Sequence, residues 1–147
     1  MKVKIKKLSE NSTIPSYAKQ GDAGLDLIAI SEEYDDYGNL VFGTGLSIEI
    51  PEGYVGLIFP RSSISNYAIR MSNSVGVIDS GYQGEIIFKF KPTMVFPDRK
   101  QESHFRYNIG NKIGQLIILR YLQIELVESE TLSETERNKD GFGSSGK

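Results

Sequence analysis

Residues 113–126 read IGQLIILRYLQIEL, the longest apolar stretch of the chain. The stretch is rich in isoleucine and leucine, no helix cap opens it, and no sustained 3.6-residue period runs through it. It reads as two strands or one bent strand. Working outward, LSIEI (46–50) alternates apolar and polar, and YVGLIF (54–59) and EIIFKFKP (85–92) are short runs of β-branched and aromatic residues. Val3 and Ile5 alternate with lysines in MKVKIKKLSE and read as a first strand. Glycine, proline and acidic turns separate the runs: EEYDDYGN, PEG, GYQG, IGN. The best helical turn lies near SSISNYAI (62–69), with Ser62 or Ser63 as its N-cap. The expected fold is all-β, a jelly-roll-like barrel or sandwich with one short helical turn. Residues 1–126 form its domain. VESETLSETERNKDGFGSSGK (127–147) is too polar to offset its ordering entropy and reads as a flexible C-terminal arm.

Composition narrows the chemistry. A chain of 147 residues suits one domain and buries roughly 68–70% of its unfolded surface, enough for a core without staples. There are no cysteines, so disulfides and thiolate metal sites are excluded and a reducing, intracellular compartment is expected, cytoplasmic or nuclear. His104 is the single histidine, which excludes a multi-histidine zinc site and reads as a surface or strand residue. A net charge of -2 gives no global reason to expect nucleic acid or an acidic membrane as partner. No apolar run approaches the 18 residues of a membrane span, and the N-terminus lacks the apolar stretch of a signal peptide. The acidic cluster Glu32, Glu33, Asp35 and Asp36 reads as a solvated turn ahead of a cation site.

Five segments place polar and small residues where a plain β-protein would not need them. In DAGLDLIA (22–29), Asp26 sits between core-type leucines and needs a partner, an arginine or a metal's water shell. In PRSSIS (60–65), Arg61, Ser62, Ser63 and the backbone amides suit phosphate oxygens, or simply cap a turn. In NSVGVIDSGYQGE (73–85), Asp79 ends a strand where a carboxylate can orient and deprotonate a water, and Tyr82 offers an aromatic face. In NKIGQLII (111–118), Gln115 is polar within an apolar strand. In DGFGSSGK (140–147) the glycines match phosphate-loop patterns, yet no helix follows to supply the anion-binding amides. There Phe142 is placed to stack on a base, and Arg137 and the serines to reach phosphates.

In this order, over residues 22–146, the five segments resemble the five motifs of the trimeric dUTP pyrophosphatase (dUTPase) family. The resemblance implies a homotrimer that hydrolyses dUTP to dUMP and pyrophosphate, keeping uracil out of DNA and supplying dUMP for thymidylate synthesis. It implies Mg2+ bound through the triphosphate and waters, with no direct protein ligand and with Asp26 and Gln115 as support behind it. It implies that Arg61, Ser62 and Ser63 meet the phosphates. Asn73, Val77 and Ile78 would form the uracil pocket, Tyr82 would pack under the deoxyribose and exclude a 2′-hydroxyl, and Asp79 would hold the attacking water. Arg137, Phe142, Gly143, Ser144 and Ser145 would close over a nucleotide on another subunit.

Departures from the motif pattern are Gly81, Gly114, Asn138 and Ser145, none of which removes a group with a chemical role. Residues 90–112 are less typical, read as an extended loop, and are where a regulator protein would bind, as virus-borne members of the family bind regulators. The chain suits a viral or a cellular source. Two rivals stand. The dCTP deaminases share the fold and the Ser-Ser and Ile-Asp-x-Gly elements, but Lys89 occupies the position of their catalytic glutamate. A dUTP-binding sensor would keep the site without turnover.

Overall fold

The computed structural model describes residues 1–95 and 98–139. The described residues form ten strands: β1 (Lys4–Lys7), β2 (Leu25–Ile28), β3 (Ser31–Tyr34), β4 (Leu40–Gly43), β5 (Leu46–Glu49), β6 (Tyr54–Pro60), β7 (Ile69–Met71), β8 (Gly76–Ile78), β9 (Ile87–Pro92) and β10 (Lys112–Arg120). They form two four-stranded sheets, ordered β2-β10-β6-β8 and β3-β4-β9-β7, and a β1-β5 ribbon. Every pairing is antiparallel. This is the all-β, jelly-roll-type arrangement that the two-residue period implies.

The alternation explains the core. Along β9, Phe88 and Phe90 are fully buried while Ile87 and Lys89 face outward. Leu40 and Phe42 on β4 join Phe88 and Phe90 from one sheet, and Leu27, Ile58 and Leu116 come from the other. Phe42 meets Phe90 edge-on at 6.0 Å between ring centroids, a favoured aromatic geometry.

Three local readings change. The apolar run from 113 is a single strand that ends at Arg120; beyond it the described residues carry no strand pairing, and Leu122, Ile124 and Leu126 are 83%, 70% and 87% exposed. Neither Ser62 nor Ser63 caps the helical turn. It is a 3-10 turn, Ser62–Asn66, whose N-cap is the extended Arg61, with no side-chain cap among the described residues. Ser65 Oγ donates to the Ser62 carbonyl, and the Ser63 hydroxyl is engaged elsewhere. Residues 90–112 hold one helical turn, α1 (Arg99–Glu102), running into a 3-10 turn, Ser103–Phe105. Asp98 opens it: Gln101 N donates to Asp98 Oδ1 at 2.8 Å. The spacing of Asp98 and Gln101 is the capping pattern that marks a helix start.

The acidic cluster is a structural turn. Asp35 Oδ1 accepts from Tyr37 N and Asn39 N, and Asp35 Oδ2 accepts from Lys89 Nζ at 3.0 Å. Glu32 pairs with Arg106. His104 is exposed in the second 3-10 turn, with Nδ1 3.0 Å from the Lys100 carbonyl oxygen. Among the described residues no helix is long and apolar enough to cross a membrane.

Candidate active site

Asp26 is the centre of a cluster built across three adjacent strands. Gln115 on β10 stands opposite Asp26 on β2 and opposite Phe59 on β6. The chain leaves β6 at Pro60, which delivers Arg61 to the same end. Arg61 Nε donates to Asp26 Oδ1 at 3.0 Å, Gln115 Nε2 to the same oxygen at 3.2 Å, and Lys112 Nζ to Asp26 Oδ2 at 2.9 Å. Lys112 is a member that sequence reasoning missed. Residues 112 and 115 fall on opposite faces of a regular strand. An irregularity in the β10–β2 register between Lys112 and Gly114 turns both toward Asp26.

Burial alone would raise the Asp26 pKa. The hydrogen bonds from Lys112 and Gln115 and the charges of Arg61 and Lys112 outweigh it and hold the carboxyl below its ordinary 3.8. Two cations on one carboxylate leave a positive surplus. With Nε spent on Asp26, the Arg61 Nη groups are the donors left for an anion. Because a carboxylate only accepts, the Gln115 amide nitrogen faces Asp26 and its carbonyl oxygen is left as an acceptor.

A second group lies around β8. Ile58, Asn73, Gly76, Val77, Ile78 and Tyr82 line a cavity of about 180 Å3. A side chain at Gly76 would come within 2.4 Å of Ile58, so glycine keeps the floor open. The wall before it is a tight turn in which Ser74 adopts a positive φ of 60°. Tyr82 is fixed at its tip, where the hydroxyl donates to the Glu85 carbonyl at 2.9 Å. Glu85 in turn accepts from Gly45 N at 2.6 Å. Asp79 follows β8 directly and is exposed; its carbonyl accepts from Tyr82 N at 3.0 Å, which closes the turn.

Arg61 and Asp79 are not brought together within one chain. Ile78 pairs with Gly56 and Gly76 with Ile58, so β8 runs away from Arg61. Gly56 and Arg61 are five positions apart, roughly 16 Å of strand, and Asp79 lies a residue further off. Ser63 reaches inward, 3.2 Å from the Tyr107 hydroxyl. Arg137 is exposed beyond β10, and Asn138 takes a positive φ of 44°, a conformation asparagine tolerates better than most residues. Phe142, Gly143, Ser144 and Ser145 lie outside the described residues. Among the described residues no group of three or more histidine or acidic side chains is placed to hold a metal.

The dUTPase family model matches residues 10–146. The deoxyuridine 5'-triphosphate nucleotidohydrolase of Trichodesmium erythraeum (strain IMS101) is 40% identical over 99% of this chain and 99% of its own length. That of Nautilia profundicola is 39% identical over the full length of both. Among solved structures, the dUTPase of Staphylococcus bacteriophage 80alpha with dUPNHPP superposes with a TM-score of 0.82 at 28% identity, covering 99% of this chain and 98% of that one. The phage protein is described as controlling transfer of virulence genes by a proto-oncogenic G protein-like mechanism. The family match spans both polar groups and the strands that carry them, and with it the chain belongs to the dUTPase family.

Proposed function

We propose that this chain hydrolyses dUTP to dUMP and pyrophosphate, in a homotrimer whose sites are assembled from different copies. One observation carries the shared site. A phosphate-type cluster at Arg61, just past the end of β6, and Asp79, on the far side of the nucleoside-type pocket and beside the start of β6, both exist in the chain. One nucleotide meets both only if they come from two copies. Two further features support assembly. The cavity is smaller than the roughly 300–1,000 Å3 of complete small-molecule sites. Leu122, Ile124 and Leu126 are exposed apolar residues in a row, of the kind another copy covers.

In the reaction, Asn73 reads the uracil beside Val77 and Ile78, and Tyr82 packs under the deoxyribose. Asp79 orients a water and takes its proton as the oxygen attacks the α-phosphorus. Arg61, Ser62 and the amides near Ser63 hold the phosphates and the charge that develops on departing pyrophosphate. Asp26 fixes Arg61. Arg137, Phe142, Gly143, Ser144 and Ser145 complete a site on a neighbouring copy. Mg2+ fits as an ion carried by the nucleotide: both Asp26 oxygens are already engaged by Arg61, Gln115 and Lys112, and the Gln115 carbonyl oxygen suits a metal-bound water. Bound there, it supplies neutralisation of the triphosphate charge.

Pyrophosphate release from dUTP, dCTP, UTP and dTTP, with Asp79→Asn as control, tests the reading. Release from dUTP alone, abolished in the variant with nucleotide binding retained, is expected. Ammonia from dCTP would establish a deaminase instead, against the engagement of Lys89 with Asp35 at 3.0 Å. Tight dUTP binding without turnover would make the protein a sensor. For a protein partner the surface is residues 90–112, where Met94, Val95, Phe105 and Ile109 are exposed.

A further inference from the structure

We propose that Tyr107 is a positioning residue for the phosphate-binding turn, acting through the hydroxyl of Ser63. The inference deepens the reading of Arg61 and Ser62 as phosphate contacts and rests on it. Tyr107 is 1% exposed, and its ring packs against Tyr67 at 4.7 Å and edge-on to Phe90 at 5.5 Å. An apolar ring would serve that packing alone. The hydroxyl adds a hydrogen bond at 3.2 Å to Ser63 Oγ. Burial outweighs the opposing hydrogen bond with Ser63 and pushes the phenol above its ordinary 10.0, so it stays protonated over the working pH range.

The turn needs an external hold. At its two ends Ile64 N donates to the Arg61 carbonyl and Tyr67 N to the Ile64 carbonyl, and no side chain caps its N-terminus. Short 3-10 turns have poor hydrogen-bond geometry. Tyr107 touches this one at both ends, its hydroxyl on Ser63 and its ring on Tyr67, the C-cap. Just beyond, Ala68 N donates to the Phe105 carbonyl at 2.8 Å.

Tyr107 is itself anchored. Arg106 grips Glu32 on β3 with both Nη groups, at 2.9 and 3.1 Å, and donates to the Tyr107 carbonyl at 2.7 Å. Tyr34, also on β3, donates to the buried Glu102 at 2.5 Å. A continuous chain of contacts thus runs from β3 through residues 102–107 to Ser63, adjacent to Ser62 and Arg61. Holding the Ser63 side chain inward fixes the direction in which Arg61, Ser62 and the turn's amides face the phosphates.

The test compares Tyr107→Phe, Ser63→Ala, the double variant and Arg61→Ala on the full chain. Affinities are measured for inorganic pyrophosphate, a non-hydrolysable dUTP analogue and deoxyuridine. Tyr107→Phe keeps the ring, so the core survives. It is expected to weaken pyrophosphate and the analogue by about three- to tenfold and to leave deoxyuridine unchanged. Ser63→Ala should match it, and the double variant should be no weaker than either single one. Unchanged pyrophosphate affinity in Tyr107→Phe, additive losses, or an equal loss on deoxyuridine would each overturn the proposal. Arg61→Ala separates the two levels. If it weakens pyrophosphate and Tyr107→Phe does not, the role of Tyr107 fails alone; if it does not, the phosphate reading of the turn fails and this inference with it.

Discussion

Arg61 follows β6 and Asp79 follows β8 of the same sheet, yet they sit at opposite ends of β6, roughly 16 Å or more apart along the ladder. A base that activates water for attack on a phosphorus and an arginine that binds the same triphosphate must lie within a few ångströms of one substrate. On the proposed reading, two chains supply them. This leads to a complementation test. Arg61→Ala and Asp79→Asn homotrimers are each expected to be inactive. In mixed trimers, a site can draw an intact Arg61 from one chain and an intact Asp79 from the other. Random mixing in equal amounts should restore about a quarter of wild-type turnover. Mixed trimers as inactive as the parents would place both groups of one site in one chain.

Gly114 is held by Phe88. A Cβ at this position would lie 2.1 Å from the Phe88 ring and 2.8 Å from the Phe59 carbonyl oxygen. Phe88 is fully buried and stacks on Phe90 at 6.1 Å, so it cannot swing away. Gly114→Ala should destabilise the fold by about 1–3 kcal/mol through overpacking. Chemical denaturation checks this. Phe88→Leu should recover part of the loss in the double variant, because the space that alanine needs is then vacated.

Phe142 is proposed to stack on the uracil. Base–aromatic stacking contributes about 1–3 kcal/mol, so Phe142→Ala should weaken a non-hydrolysable dUTP analogue by about 5- to 150-fold. Titration calorimetry checks it, with pyrophosphate as the comparison. Pyrophosphate affinity should hold, since it has no base to stack.

The fold was legible where the physics is local. The alternation in EIIFKFKP follows from a sheet with one buried face, and β9 lies there; β5 lies at LSIEI too, but there Ser47 is buried beside Leu46 and Ile48 and donates to the Gln83 carbonyl. The Asp98–Gln101 capping pattern that marks α1 was in view but went unread, since residues 90–112 read as an extended loop. The cluster around Asp26 was half legible. A carboxylate between two leucines announces a buried partner, and Arg61 is that partner. Lys112 was not legible, because its reach depends on a register irregularity in β10 that the run of residues does not announce. The grip of Tyr107 on Ser63 and of Arg106 on Glu32 joins residues 44 and 74 positions apart. No periodicity reports pairs so distant. The run past Arg120 misled for another reason: its apolar residues have the strand pattern without a partner strand among the described residues.

Asp26 makes the site acid-sensitive in a definite direction. Its carboxyl is below its ordinary 3.8 in the folded chain, since Lys112, Gln115 and Arg61 together outweigh the effect of burial. A depressed carboxylate binds its proton less readily folded than unfolded, so it stabilises the fold fully above 3.8. That contribution falls away as pH drops through the lower, folded value. Asp26→Asn cannot titrate and keeps none of it. At pH 7 the variant should be less stable by about 1–2 kcal/mol, a modest figure because Arg61 and Lys112 are partly exposed and solvent screens them. The gap between wild type and variant should close as pH falls below 3.8, and denaturation curves at pH 7, 4 and 3 measure it. The affinity for pyrophosphate should fall in the variant at pH 7, since Arg61 is no longer held. A stability gap that stays constant from pH 7 to 3 would mean that the Asp26 charge does not stabilise this corner of the sheet.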